Sequence, residues 1–67
     1  MMGDMLTWLL NREQKMDLYD LIDLLKDHFG IRLPKEKVME IIRGTDLYYD
    51  TIMEAVYIDY DTYFEEI

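Results

Sequence analysis

The side chains that could take part in chemistry are concentrated in the last third of the chain. Residues 46–67 hold seven acidic and six aromatic side chains but no lysine, arginine or histidine. Like charges placed together cost stability, so this segregation is typical of a surface that meets a positively charged partner. We predict such a partner-binding surface, with these candidate residues: Tyr48, Asp50, Glu54, Tyr57, Asp59, Asp61 and Glu65.

The sequence lacks the residue types that nucleophilic catalysis needs. It has no cysteine, no serine and no glycine-rich loop, and His28 is its one histidine. A general base needs a nucleophile or a second acid beside it, and the sequence offers no such set. Asp59 and Asp61 have the spacing that opens a calcium loop, but Phe64 occupies the position where that loop needs glycine. We predict helix capping there, no metal or cofactor, and no enzymatic activity.

The basic residues support an alternative interpretation. Residues 18–43 predict a helix, a glycine turn and a second helix, which is the order found in helix-turn-helix DNA-binding proteins. Helix 34–43 carries three of the seven basic residues, namely Lys35, Lys37 and Arg43. Two glutamates share its surface, and it has no asparagine or glutamine to reach base edges. A DNA-binding transcriptional regulator is therefore the alternative function.

Length and charge limit the remaining classes. Sixty-seven residues make one domain at most, and a domain of this size is marginally stable. Without cysteine it has no disulfides, so good packing, a partner or homodimer formation must stabilise it. The net charge of −8 opposes binding to phosphate and to anionic membrane, so we expect neither direct nucleic-acid binding nor membrane binding. The lack of cysteine fits a cytoplasmic location.

Apolar residues at three- and four-residue spacing predict helices along most of the chain. The pattern predicts one helix over 12–29 that ends at Gly30, and a second that begins at Pro34 and ends before Gly44. Residues 1–10 predict either a short helix or a loosely docked arm. Seven apolar and aromatic residues of the last third share one helical stripe: Tyr49, Ile52, Met53, Val56, Tyr60, Tyr63 and Ile67.

Within this last third we expect a break near Asp59 followed by a short final helix. A terminal hairpin strand over 57–63 is the alternative, although that segment has no turn signal. Tyr48 and Tyr57 lie off the helical stripe and are expected to be exposed. The prediction is an all-α single domain over residues 1–67, a bundle of four to five short helices that self-association could complete.

These observations together predict a small acidic helical protein that binds a basic surface of another protein through its tyrosine-rich C-terminal face. In the sharpest form of this hypothesis, the carboxylates mimic phosphates, and the target is a nucleic-acid-binding protein. An inhibitor carried by a phage or mobile element would act in this way. A structural module that forms homo-oligomers is a further alternative to the helix-turn-helix regulator.

Overall fold

The computed structural model describes residues 2–66 of the chain. The described residues form α1 (Met2–Glu13), β1 (Lys15–Asp17), α2 (Leu18–Phe29), α3 (Lys35–Arg43), β2 (Tyr48–Asp50), β3 (Ala55–Tyr57) and α4 (Tyr60–Glu66). The three strands make an antiparallel sheet in the order β1-β3-β2. The fold is therefore mixed α and β, and the all-α prediction is wrong.

The error arose in the last third, where a hairpin replaces the expected first helix. Tyr49 lies opposite Val56 in the register of β2 and β3, so these two side chains share a face because their strands pair. A separation of seven residues matches two helical turns equally well, so periodicity could not distinguish the two structures. Ile52 and Met53, expected in the core, lie in the hairpin turn with exposed fractions of 89% and 66%.

The hairpin turn contains aspartate and glutamate where glycine or asparagine is usual. The Asp50 Oδ1 atom accepts hydrogen bonds from the backbone N–H groups of Ile52 and Met53, at 2.8 and 3.1 Å. Glu54 takes the left-handed backbone conformation with φ of 53°, which non-glycine residues adopt at some cost. An aspartate that bonds to the backbone two and three residues later is itself a turn signal, and at Asp50 it went unrecognised.

The predicted helix over 12–29 is interrupted near its start. Gln14 has φ of 70° and ends α1, after which the chain extends through β1. Asp17 then caps α2 by accepting a hydrogen bond of 2.8 Å from the Tyr19 N–H. The predicted stop at Gly30 is confirmed, because its φ of 67° lets Gly30 and Ile31 donate to the carbonyls of Lys26 and Leu25.

One apolar core joins α1, α2, α3 and the inner face of the sheet. Its buried members are Leu6, Leu9, Leu10, Leu18, Leu21, Leu25, Val38, Ile42, Leu47 and Val56. Three of these residues belong to α1, so residues 2–10 are part of the fold; of the two structures predicted for 1–10, the helix is found and the loose arm is wrong. Residue 1 lies outside the described residues.

The outer face of the sheet is covered by α4. Tyr48 and Tyr57 face each other in the sheet register, and they point away from Val56 because strand side chains alternate between faces. Both rings contact Tyr63 of α4. The short final helix predicted after Asp59 is confirmed, but β3, not the expected helix, precedes it. This α4 lies on the side of the sheet opposite to α1, α2 and α3.

Candidate protein-binding surface

Five aromatic rings cluster where α4 meets the sheet; we call Tyr48, Tyr57, Tyr60, Tyr63 and Phe64 the ring cluster. Tyr63 is at its centre, with ring centroids 4.4 Å from Tyr48, 5.3 Å from Tyr57 and 5.9 Å from Tyr60. Tyr60 also contacts Tyr48 at 5.3 Å and Phe64 at 6.1 Å. These distances are those of favourable edge-to-face and tilted ring pairs.

Tyr63 also lies close to the hairpin. Desolvation is the main cause that raises the pKa of Tyr63, and the negative charge of the nearby Asp50 adds to it. The ring contacts of Tyr63 therefore place α4 beside the end of β2, although none of the α4 residues is fully buried.

The outward side of α4 combines exposed rings with carboxylates; we call Tyr60, Asp61, Phe64 and Glu65 the α4 surface. Tyr60 is 54% exposed and Phe64 is 60% exposed, and both acids are exposed as well. Tyr60 and Phe64 are four residues apart, and so are Asp61 and Glu65. The two rings, and likewise the two acids, therefore lie one helical turn apart on the same side of α4. The last turn of α4 contains no basic residue, so Glu65 faces the negative end of the helix dipole without compensation from its own turn.

Two of the predicted binding acids have structural roles. Asp50 closes the hairpin turn, and the bond from Met53 N–H is the largest cause that lowers its pKa. Asp59 caps α4 by accepting a hydrogen bond of 2.7 Å from Thr62 N–H, which likewise lowers the pKa of Asp59. The predicted cap is confirmed. Within residues 2–66, no group of three or more potential ligands could hold a metal ion.

Glu54 is paired within the molecule. Its carboxylate forms an ion pair with Lys35 of α3 and accepts hydrogen bonds from the Tyr19 hydroxyl of α2 at 3.2 and 3.3 Å. The Lys35 ammonium also lies 5.6 Å from the centre of the Tyr19 ring. The hydrogen bond between the pair is the main cause that raises the pKa of Lys35 and lowers the pKa of Glu54.

The Lys35–Glu54 pair joins one residue of the predicted acidic surface to one of the predicted DNA-binding residues. Each charge is largely balanced by the other, so neither is freely available to an outside partner. Lys37 pairs loosely with Glu40 at 3.8 Å, and Arg43 is exposed on a surface shared with Glu36 and Glu40. The three basic residues of helix 34–43 therefore form no continuous positive patch, although the DNA-binding alternative itself stays a prediction.

The two remaining predicted tyrosines are less accessible than expected. Tyr57 is only 6% exposed, so its predicted exposure is wrong, and Tyr48 is half-buried in the ring cluster. Of the seven predicted binding residues, Asp61 and Glu65 are exposed on the α4 surface without a cap or ion-pair role in the described contacts. Tyr60 and Phe64 were not among the predicted residues; their four-residue spacing in a short amphipathic helix is the signal that could have identified them.

The charge on Asp50 should make the hairpin sensitive to acid. We expect Asp50→Asn to be less stable than the parent at neutral pH, because a charged carboxylate accepts the hydrogen bonds of Ile52 N–H and Met53 N–H more strongly than an amide oxygen does. Since the folded-state pKa of Asp50 lies below the ordinary value of 3.8, this difference should be complete above pH 3.8. It should disappear as the pH falls through the folded-state pKa.

Urea unfolding of parent and variant over a pH series measures this difference directly. The difference in unfolding free energy between the two proteins is little affected by the overall negative charge, because their net charges differ by only one unit. A difference that persisted unchanged in strong acid would mean that the shape of the side chain, and not its charge, stabilises the turn.

No helix within residues 2–66 combines the length and the apolar character needed to cross a bilayer. In comparisons with protein-family models, curated proteins and solved structures, none matches this chain, so the interpretation of the α4 surface depends on its geometry and charge alone.

Proposed function

We propose that this protein binds a basic surface of another protein through the α4 surface. The observation that carries the proposal is the exposure of Tyr60 and Phe64 beside Asp61 and Glu65 on a helix held in place by the ring cluster. Rigid aromatic side chains are the common anchors of protein interfaces, since they supply large contact areas at low entropic cost. The flanking carboxylates would select a target that presents lysines and arginines.

The charge distribution supports a basic target. Among the described ion pairs, Lys15 is the one basic residue that reaches α4, where it pairs with Glu66 at 2.9 Å. Both side chains of this pair are about half exposed, so solvent screens the interaction. The negative charge on α4 therefore remains largely unbalanced. The helix dipole favours Asp61 in the first turn but disfavours Glu65 in the last turn, so the position of Glu65 contributes nothing favourable to folding. Binding a cationic partner would account for this arrangement.

The test compares two double variants that each remove two negative charges, one from α4 and the other from α2. Asp61→Asn with Glu65→Gln removes two charges from the α4 surface, and Asp23→Asn with Asp27→Asn removes two from exposed positions of α2. Tagged parent and variants are used to capture proteins from the source cells, and each captured protein is then purified for titration. We expect the α4 variant to weaken binding about tenfold, or roughly 1.4 kcal/mol, while the α2 variant binds as the parent does.

A second variant tests the aromatic contribution. Phe64→Ala should weaken binding by a similar factor, and binding by the parent should decrease as salt is added. Equal affinities of the α4 and α2 variants, or affinity that is independent of salt, would contradict the proposal.

Two further measurements separate the narrower alternatives. If the target binds nucleic acid and duplex DNA competes with this protein for it, the result supports phosphate mimicry. If the protein itself retards duplex DNA in a gel-shift series at about 50–100 mM salt, the helix-turn-helix alternative is favoured instead. In that case, Lys37→Ala and Arg43→Ala should weaken the retardation.

A further inference from the structure

A groove between α1 and α2 leaves two large aromatic rings exposed to solvent. Its volume of about 410 Å³ falls within the range of small-molecule sites, and most of its lining is apolar. Trp8 of α1 is 53% exposed and Phe29 at the end of α2 is 41% exposed. Leu9 and Leu24 also line the groove. An aromatic ligand bound here would cover the two rings and remove apolar surface from water.

The Arg12 guanidinium lies at this groove, where it can orient a ligand. Arg12 follows Trp8 by one helical turn, and its guanidinium carbon lies 5.3 Å from the centre of the Trp8 ring. This cation–π contact restricts the long side chain, so less conformational freedom is lost when the side chain binds a ligand. Within residues 2–66 the guanidinium forms no ion pair, whereas Lys15, Lys35 and Lys37 each form one. Its N–H donors therefore remain available.

We propose that this groove binds a small aromatic anion, such as an aromatic carboxylate or sulfonate. The rings of the ligand lie against Trp8 and Phe29, and its anionic group accepts hydrogen bonds from Arg12. The planar guanidinium offers two parallel N–H donors, which match the oxygens of such a group. His28 of α2 lines the same groove and adds a ring N–H donor on the opposite side.

The other charges of the molecule oppose an anionic ligand, which makes the role of Arg12 measurable. Glu13 also lines the groove, and the chain carries a net charge of −8, so both disfavour an anion. These repulsions act through solvent and are screened by salt, whereas the contact with Arg12 is a direct charge-assisted hydrogen bond. Specific binding of an anion by this acidic protein would therefore need the guanidinium.

The groove is independent of the proposed partner binding. It lies on α1 and α2, whereas α4 lies on the opposite side of the sheet. Asp61→Asn with Glu65→Gln should therefore leave ligand binding in the groove nearly unchanged, and either proposal can fail while the other holds.

Two dyes with the same ring system test the class of ligand. Anilinonaphthalene sulfonate is an aromatic anion, and phenylnaphthylamine is the same molecule without the sulfonate. Trp8 is the single tryptophan of the chain, so a dye bound in the groove should quench its fluorescence. We expect the parent to bind the sulfonate dye with quenching of Trp8. Circular dichroism checks that each protein is folded, because partly folded states also bind such dyes.

Charge variants identify the group that holds the anion. Arg12→Gln should weaken binding of the sulfonate dye about fivefold, as expected for one exposed charge pair, and should not weaken binding of the neutral dye. Lys26→Gln is the matched control, because it removes the same charge from an exposed position of α2 outside the groove lining. It should bind the sulfonate dye as the parent does, and Glu13→Gln should bind that dye more tightly.

Three results would overturn the proposal. One is a parent that does not bind the sulfonate dye, or binds it without quenching of Trp8. Another is an equal loss for Arg12→Gln and Lys26→Gln, since net charge and not the groove would then be responsible. The third is a loss for Arg12→Gln that is equally large with the neutral dye, since the side chain would then act only through its shape.

Discussion

Leu10→Ala should lower the free energy of unfolding by about 2–5 kcal/mol, the range seen when a fully buried leucine is truncated. Leu10 has no exposed surface and belongs to the core that joins α1 to the sheet. A single core in a domain of this size rarely supplies more than about 3–5 kcal/mol in total, so the variant should be largely unfolded in buffer. Urea titration followed by far-ultraviolet circular dichroism measures the loss.

Ile52→Ala is the matched control for Leu10→Ala. The two side chains have the same number of carbon atoms, but Ile52 is almost fully exposed in the hairpin turn. Its truncation should change the free energy of unfolding by less than about 0.5 kcal/mol. Similar losses for the two variants would contradict the fold in two places, since α1 would not be part of the core and the turn would not be exposed.

Tyr57→Ala should lower the free energy of unfolding by about 3 kcal/mol, near the lower end of the range for truncating a large buried aromatic residue. The Tyr57 side chain lies on the outer face of the sheet, where it is buried against Tyr63 of α4. Its removal leaves a cavity beneath α4 and deprives Tyr63 of one ring contact. We therefore also expect the near-ultraviolet circular dichroism of the tyrosines to decrease, because the ring cluster loses its fixed geometry.

Tyr60→Ala is the control within the same cluster. Tyr60 also contacts Tyr63, but more than half of its surface is exposed. Tyr60 makes three ring contacts, but they are partly exposed to solvent, so its truncation should cost about 1–2 kcal/mol, clearly less than that of Tyr57. Equal losses for Tyr57→Ala and Tyr60→Ala would mean that α4 is not docked as described. In that case, the α4 surface would lack the rigidity on which the proposed function depends.

The sequence alone was sufficient for features that depend on neighbouring residues. The stop at Gly30, the cap at Asp59 and the short helix that follows Asp59 each depend on contacts within about four positions. The segregation of charge into the last third is likewise a property of composition. These features follow from local backbone geometry or from counting, so no tertiary information is needed to find them.

Strand pairing could not be predicted in the same way. β1, β2 and β3 have three residues each, too short for a period-two pattern to be distinguished from a helical one. The pairing of Met16 with Val56 joins residues that are 40 positions apart, and no local rule selects that partner. Within the last third, the seven-residue spacing of Tyr49 and Val56 fits a helix as well as a hairpin, which is why the helix stripe through Ile52 and Met53 was wrong.

The roles of the acidic residues, like the strand pairing, depend on the tertiary structure. The sequence by itself determined that seven carboxylates lie in a segment without a single basic residue. Only the tertiary structure decided that Glu54 pairs with Lys35, that Glu66 pairs with Lys15, and that two exposed acids remain beside two exposed rings on α4. The physical reason is that helix caps and turns are formed by neighbours in the chain, whereas ion pairs and burial depend on elements that meet only when the core forms.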